Sequence, residues 1–495
     1  MNPDRHLEIA SVLGADVTNA KREDAGIVLG DALRRFLQGL GVPNGIAAFG
    51  YSTSDIGALV ESILPQHRVL KLSPPSTVMR GSLSPIGAGF NLVNTIIGSG
   101  ILALPYALKE AGFYFGIFIL VAISLLTYIS LNILVYSGRR TGLYKYEAVS
   151  QAALGRSGHH ILAFALAVNS IGSCISYLMI VGDTASAVAQ HVFGLHALTS
   201  RPIVITTAAV VFTLPLLFFR TLEPLVRASV ASTLCLPFIV GIVAIRGPSY
   251  RVEPAPQPVF GPSVLPAIGV IAFAYSCTQT CYQSYLTLQS KTLEGWKYAT
   301  AFATSLSVVV YLAFSIISYD AFGQATQPNL LNNFAHDDAM ANVARVLLAF
   351  SLTLTYPMQF YPIRDLASTL LGFSPINIAT YQERYKFYAL IMVLFASTLG
   401  VALAVDDLGV VFKLIGTAAS SLLVFGLPGV IYLKVVSPYF AKAENAPLLA
   451  HVVTADTNDV KHISEPHTTV VSVFLLVLGG FVFVVGTWST INERV

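Results

Sequence analysis

Eleven uncharged stretches of 18 residues or more run through this chain, at 81–108, 111–138, 161–182, 202–219, 228–245, 254–290, 298–319, 346–363, 387–405, 414–433 and 468–492. A hydrocarbon core about 30 Å thick takes roughly 20 mostly apolar residues of helix at about 1.5 Å each. The pattern therefore predicts an all-α, polytopic membrane protein with 11 transmembrane helices. The longest stretch opens on Pro254, Pro256, Pro258 and Pro262, so its spanning part begins near Pro262. Composition agrees: 54% of the residues are hydrophobic and 11% are charged, against about 25% charged in a typical soluble domain.

The charges are segregated. Sixteen of the 55 Asp, Glu, Lys and Arg residues precede position 81, which divides the chain into a polar head, 1–80, and an apolar transmembrane domain, 81–492. A scattered net charge of +3 excludes nucleic acid as a partner. Asp4, Arg5, Glu8 and Asp16 interrupt the N-terminus, so no secretory signal is expected and later segments drive insertion. Cys174, Cys235, Cys277 and Cys281 all lie in apolar runs and read as small core residues rather than a disulfide or metal set. Of the 29 Lys and Arg, eight are in the head. With the N-terminus cytoplasmic, fourteen fall in inner loops and seven on the outer side, namely Lys109, Arg201, Arg246, Arg251, Arg345, Lys413 and Arg494. That bias predicts an N-terminus inside and a C-terminus outside or luminal. Lys413 and Arg345 read as interfacial anchors, and Asp183, at the outer end of the third span, as a solvated helix terminus.

Two spans carry signs of interruption. In the first, Gly98-Ser99-Gly100 sits near the centre with Pro105 five residues on, removing the amide that would bond Ile101. Each interior glycine costs a helix about 1 kcal/mol relative to alanine, so a break there is cheap. A close Gly-x-Gly helix crossing is the alternative reading of the same residues. In the sixth span, Tyr275-Ser276-Cys277-Thr278-Gln279-Thr280 is polar and uncharged within a long membrane run. Irregular backbone at membrane depth survives only where it is buried in protein or lines a cavity. Interrupted segments five spans apart face opposite ways, which is the arithmetic of a five-plus-five inverted repeat with one helix added, and they point to a binding site. On this reading Ile97, Gly98, Ser99 and Gly100 offer freed amides to a carboxylate. Tyr275, Ser276, Cys277 and Thr278 offer carbonyls and hydroxyls to an ammonium group.

The stretch from Phe90-Asn91-Leu92-Val93-Asn94 through Gly98-Ser99-Gly100 to Pro105-Tyr106 closely resembles the first-span signature of the amino acid/auxin permease family. Further matches follow in order at Ser176–Asp183, at Leu352-Thr353-Leu354-Thr355-Tyr356-Pro357 through Arg364-Asp365, and at Leu408–Phe412 with Gly416-Thr417 and Leu427-Pro428-Gly429. The resemblance covers about residues 83–490. It implies a five-plus-five inverted-repeat (LeuT-like) fold with discontinuous helices 1 and 6, and secondary active transport of amino acids by alternating access. The coupling ion would be a proton or sodium, with no organic cofactor and no metal. It also implies a cation site at Asn94 with Thr353 or Thr355; the alternative is that Asn94 is a polar contact between helices and the threonines bond their own preceding carbonyls. Relatives usually carry a histidine where Thr278 stands and a Glu-Leu where Thr287-Leu288 stands, so histidine-dependent coupling is not expected. The expected partners are an amino acid and the bilayer of a vacuolar, lysosomal or plasma membrane. The sequence carries no signal for oligomeric state.

The head has a resemblance of its own. His6–Asp16, Asp24–Leu29, Asp31–Leu37, Gly50-Tyr51-Ser52 and Leu64–Pro74 look like the C-terminal end of iron-containing alcohol dehydrogenases of the hydroxyacid-oxoacid transhydrogenase type. That family's nucleotide-binding half and metal ligands lie upstream of the matching part and have no counterpart here. No Gly-x-Gly-x-x-Gly fingerprint replaces them, so no oxidoreductase activity is expected. The head is then a fused remnant or a neighbouring gene joined to this one. Two other functions stay open at this level: an amino acid sensor signalling through the head, and a vestigial oxidoreductase fusion.

Overall fold

In lipid a chain must satisfy its own backbone, and this one does so with helices. The computed structural model describes residues 83–194, 199–219, 223–251, 256–373, 381–435 and 466–492, with isolated positions before residue 33. The chain forms two compact units, 1–80 and 81–495. The head's resemblance falls almost wholly outside the described residues, as does the loop from 436 to 465.

The elements of the second unit, in chain order, are α1 (Pro85–Ile96), α2 (Leu104–Ala111), α3 (Phe113–Thr141), α4 (Tyr146–Phe193), α5 (Arg201–Leu217), α6 (Glu223–Arg246), α7 (Val264–Ala274), α8 (Cys281–Leu286), α9 (Leu293–Phe322), α10 (Ala339–Leu370), α11 (Tyr381–Ala404), α12 (Leu408–Val435) and α13 (His467–Asn492). Among the described residues, eight helices are long and apolar enough to cross a membrane, counting α7 and α8 as one. A bent pair made of Pro85–Ile96 and Gly100–Ala111 would be a ninth, and Arg201–Leu217 and Leu234–Tyr250 are shorter apolar helices. The structure is thus all-helical and multi-pass among the described residues; the fourth expected span is the slightly short helix Arg201–Leu217, while the fifth window, 228–245, lies wholly inside α6.

The surface is inverted relative to a water-soluble helix protein. On α3, Tyr114, Phe118, Val121 and Leu125 recur every three or four residues and all are exposed, while Leu120, Ile123 and Thr127 face inward. Inside, backbones approach closely where glycines meet. A Cβ on Gly269 of α7 would lie 2.8 Å from the amide of Thr417 in α12, and one on Gly416 would run into the Gly269 carbonyl. Such glycine crossings let membrane helices pack without a hydrophobic driving force. In α12 the turns Gly416–Ser420 and Leu422–Gly426 are π-helical, a geometry that frees carbonyls from the ordinary ladder. Helix α4 is kinked at Gly155, whose φ of 67° suits only glycine.

The end of the bundle reached by Ala111, here the distal end, is tightly tied. Gly261 and Ser263 donate their amides to the carbonyls of Ala111 and Glu110 at 2.8 and 2.9 Å. The segment 329–338 is held by two charged residues. Arg345 is fully buried and donates to the carbonyls of Leu331 (2.9 Å), Phe334 (2.7 Å) and Ala335 (3.2 Å) and to Asn342 Oδ1 (2.6 Å). It is a structural clamp, not the snorkelling anchor its sequence position suggested. Asp338 caps α10 by accepting from the Ala341 amide at 3.0 Å and also binds Arg246 Nη2 (2.7 Å) and Tyr250 Oη (2.9 Å). Burial pushes the Asp338 carboxyl up, but Arg246, the Ala341 amide and Tyr250 outweigh it and hold it at about 2.

A carboxylate with a depressed value contributes above its unfolded value of about 3.9 and loses that contribution as pH falls through the folded one. Protection of amides 329–338 in hydrogen exchange, corrected for intrinsic chemistry, should therefore be flat between about pH 8 and about pH 5. In Asp338→Ala it should drop across the whole range, and a wild-type loss of protection near pH 5 would contradict the clamp.

Candidate functional site

The first break forms where the sequence made it cheap. Helix α1 ends as the amides of Ile97 and Gly98 turn back onto Val93 (2.7 Å) and Ile96 (2.8 Å), and Gly98 is extended at φ −104°, ψ −154°. A 3₁₀ turn, Ser99–Ala103, leads into α2, and the two halves are bent by 55°. Pro105 sits in the first turn of α2, where a missing amide costs nothing. The amides of Ser99 and Gly100 open the 3₁₀ turn, the position at which a helix leaves donors unbonded and presents partial positive charge.

The two glycines have different jobs. A Cβ on Gly98 would meet nothing closer than the Thr95 carbonyl at 4.0 Å, whereas one on Gly100 would sit 2.8 Å from Ala274 Cα at the end of α7. Gly100 makes a close helix crossing and Gly98 borders open space.

The second break faces the first. Helix α7 ends at Ala274, Tyr275 to Cys277 form tight turns, and a 3₁₀ turn Thr278–Thr280 leads into α8. Tyr275, Cys277 and Thr278 are buried, and the hydroxyls of Tyr275 and Ser276 are sealed off with no hydrogen-bond partner. An unpaired buried hydroxyl costs roughly 1–3 kcal/mol, so each such group calls for a water or ligand. Thr278 Oγ1 instead donates to the Leu423 carbonyl at 3.0 Å, which also accepts from Tyr146 Oη at 3.1 Å. That carbonyl is available because α12 is π-helical there.

One side chain that the sequence reading missed joins the breaks. Tyr311 on α9 is fully buried, and its hydroxyl lies 2.5 Å from the Ile96 carbonyl and 2.9 Å from that of Ala274. These are the last residues of α1 and α7. A hydroxyl has one proton, so it is shared between the C-terminal ends of both broken helices. Ser307, Ser315 and Ser318 lie on the same face of α9 and are buried with unpartnered hydroxyls. Their spacing of four, four and three residues, with Tyr311 among them, was readable in the sequence as a polar seam.

The cation candidates lie on two different helices. Asn94 is exposed on α1, which packs chiefly on α9. Thr353 and Thr355 are half-buried on α10, which packs chiefly on α4 and α6. Thr353 donates to the Ala349 carbonyl at 2.8 Å and Thr355 to that of Ser351 at 2.9 Å. Donating backward along the helix leaves each oxygen's lone pairs for another group.

At the distal end the structure corrects two further expectations. Lys413, read as an anchor, is 6% exposed and pairs with Glu110 at 2.6 Å, joining α12 to the end of α2, with the ring of Tyr106 5.6 Å from its ammonium. Asp183 is not at a helix end, because α4 continues to Phe193. It binds Arg201 Nε at 2.7 Å, and Arg201 also reaches Asp406 at 3.6 Å.

The chain is similar to several known proteins. Among solved structures, a Na+-coupled sialic acid symporter in a substrate-bound outward-open state aligns over 83% of this chain and 90% of its own, at 13% identity and a TM-score of 0.45. The "Putative sodium-coupled neutral amino acid transporter 11" of Bos taurus is 32% identical over 355 residues, 70% of this chain and 75% of that one. Vacuolar amino acid transporter 2 of Saccharomyces cerevisiae is 26% identical over 376 residues, 73% of this chain and 78% of that one. Residues 81–455 match the family described as transmembrane amino acid transporter protein. The chain thus belongs to the transmembrane amino acid transporter family and is a multi-pass membrane transporter, not an enzyme.

Proposed function

We propose that the chain carries a neutral amino acid across a membrane by alternating access, drawing on a sodium gradient. The observation that supports this most is the pair of facing helix breaks held by Tyr311, with open space at Gly98 and two unpartnered hydroxyls opposite. Free amides at Ser99 and Gly100 suit the carboxylate of a zwitterion. The carbonyl ends of α7 together with the Tyr275 and Ser276 hydroxyls suit its ammonium group. Among the described residues, those forming the two breaks, Ile97–Gly100 and Tyr275–Thr278, carry no carboxylate or guanidinium, which fits a neutral side chain.

The names of several relatives include sodium coupling, and that of one a vacuolar location. Oxygen ligands are what a hard cation requires. Asn94, Thr353 and Thr355 supply them once α1 moves against α10, so binding of the ion drives the proximal end to close. The distal end is closed by the buried Glu110–Lys413 pair, whose opening exposes the site to the other side. We further place the N-terminus in the cytoplasm, from the distribution of Lys and Arg, and read the two short apolar helices as spans. This gives eleven in a five-plus-five inverted repeat with one helix added.

Uptake of labelled neutral amino acids into proteoliposomes under separate sodium and proton gradients tests this, and uptake indifferent to both would overturn it. Gly98→Ala should insert and remain monodisperse yet cut uptake by about tenfold or more, because misplacing bound substrate by a fraction of its size is costly. Gly100→Ala should lose stability by about 1–3 kcal/mol through overpacking against Ala274; equal behaviour of the two variants would contradict the division of roles. Removing one partner of a buried ion pair costs roughly 3–5 kcal/mol. Glu110→Gln and Lys413→Gln should each depress uptake strongly, and the double variant should recover relative to either, as read by uptake and thermal unfolding.

A further inference from the structure

The Leu423 carbonyl, in the π-helical turn Leu422–Gly426 of α12, takes hydrogen bonds from two distant parts of the chain. Thr278 Oγ1 donates to it at 3.0 Å and Tyr146 Oη at 3.1 Å. Tyr146, Thr278 and Leu423 are all buried. A carbonyl oxygen has two lone pairs, so both bonds form together. Other buried hydroxyls on the long helices, those of Thr127, Ser137, Ser173 and Thr184, turn back onto the carbonyl four residues earlier in their own helix. Thr278 and Tyr146 reach across to a neighbour instead.

The two donors are held by different partners. Tyr146 opens α4, which is tied to α12: Ser420 Oγ donates to Asn169 Oδ1 at 3.2 Å, and a Cβ on Gly172 would run into Ile415. Tyr146 and Leu423 therefore keep their relation while α4 and α12 stay packed. Thr278 belongs to the second break. The residues after that break are tied to α3, where Tyr282 Oη donates to the Leu134 carbonyl at 2.7 Å, and the helix before it is tied to α1 through Tyr311. The Thr278–Leu423 bond thus joins the breaks to the α4–α12 pair. It does so on the proximal side, because α4 runs from Tyr146 to the distal Asp183. The crossing of α7 on α12 at Gly269 and Gly416 is further toward the distal end, so the break can leave Leu423 while that crossing stays in place.

We propose that Thr278 and Tyr146 are positioning residues of the transport cycle. Thr278 latches the second break onto Leu423, and Tyr146 keeps that carbonyl paired when the break moves off and opens the proximal side. A buried carbonyl left without a donor is costly, and Tyr146 spares the released state that penalty. The arrangement is the reverse of the one at Tyr311. There one hydroxyl serves two carbonyls and holds the breaks together; here one carbonyl serves two hydroxyls and lets one of them go. Thr278 is then a latch and not a contact for substrate. The inference rests on the proposed alternating access for its purpose, but not for its geometry.

The two hydroxyls should act in opposite directions, which a pair of merely structural bonds would not. Removing that of Thr278 weakens only the latched state, whereas removing that of Tyr146 leaves the carbonyl unpaired in the released state and so favours the latch. Cys277, fully buried beside Thr278, is a native reporter of release. The measurement is the rate of N-ethylmaleimide labelling at each cysteine, read by mass spectrometry on the full chain in lipid nanodiscs. Cys174, buried in α4, is the control for general loosening. At Cys277, Thr278→Val should label about three- to tenfold faster than wild type, Tyr146→Phe about three- to tenfold slower, and Thr278→Ser at the wild-type rate, with Cys174 unchanged throughout. Should Thr278→Val fail to fold, Tyr146→Phe still decides, since loss of a merely structural bond would speed labelling. Shifts in the same direction, no shift in either variant, or equal acceleration at Cys174 overturn the latch. Uptake of labelled amino acid by the wild type separates the two readings: opposite shifts in a chain that takes up nothing uphold the latch and remove the transport reading, and same-direction shifts in a chain that transports do the reverse.

Discussion

The hydroxyl of Tyr311 is the point on which the rest of the structure depends. A helix interrupted inside a membrane leaves carbonyls that no lipid can satisfy. Here two helices are interrupted at the same depth, and the last residues of both, Ile96 and Ala274, bond to one tyrosine. The bond fixes the breaks side by side, which brings Gly100 onto Ala274 and leaves Gly98 bordering open space. It is also a bond with two acceptors and one proton. It can favour either helix as they move, without leaving both uncompensated.

Around that hinge the molecule is unequal at its two ends. The distal end has a buried ion pair between α2 and α12, the Arg345 clamp on the segment before α10, and the triad of Arg201, Asp183 and Asp406. Buried pairs are poor sources of net stability, since desolvation offsets much of their attraction. Of these ties only Glu110–Lys413 is a buried pair, since Asp406 is 95% exposed; on the proposed reading its use is discrimination, holding one arrangement of the outer helices when formed and being expensive to break unless water enters. That is the behaviour required of a closure that must open completely or stay shut. By contrast α1 packs chiefly on α9, and Asn94 is exposed, so the proximal half of the first span has fewer ties to α10.

Much of this was legible in the sequence, for physical reasons that differ from residue to residue. Membrane-spanning capacity depends on local hydropathy, so the apolar windows coincide with helices, the fourth with the slightly short Arg201–Leu217. The first break was legible because Gly98-Ser99-Gly100 and Pro105 weaken a helix wherever they stand. The division of labour between Gly98 and Gly100 was not, because it depends on where Ala274 comes to lie, 174 positions away in the chain. Lys413 and Arg345 were misread as anchors for a related reason. Closeness to a window edge says how deep a charge sits, but not whether it faces lipid headgroups or a neighbouring helix. Tyr311 lay in plain view on a face with three serines, and only the neighbouring carbonyl ends give that face a meaning.

The account turns on Tyr311, and Tyr311→Phe isolates it by removing one oxygen while keeping the ring. The measurement is gradient-driven uptake of a labelled neutral amino acid into proteoliposomes, alongside thermal unfolding of the same preparation. Loss of a buried hydrogen bond with its acceptors left unpaired is worth about 1–3 kcal/mol, which corresponds to roughly a tenfold or larger fall in rate if it is expressed in the transport cycle. The account predicts a variant that inserts and stays monodisperse but transports about tenfold or more slowly. Uptake within about twofold of wild type would show that the two breaks do not depend on their shared hydroxyl.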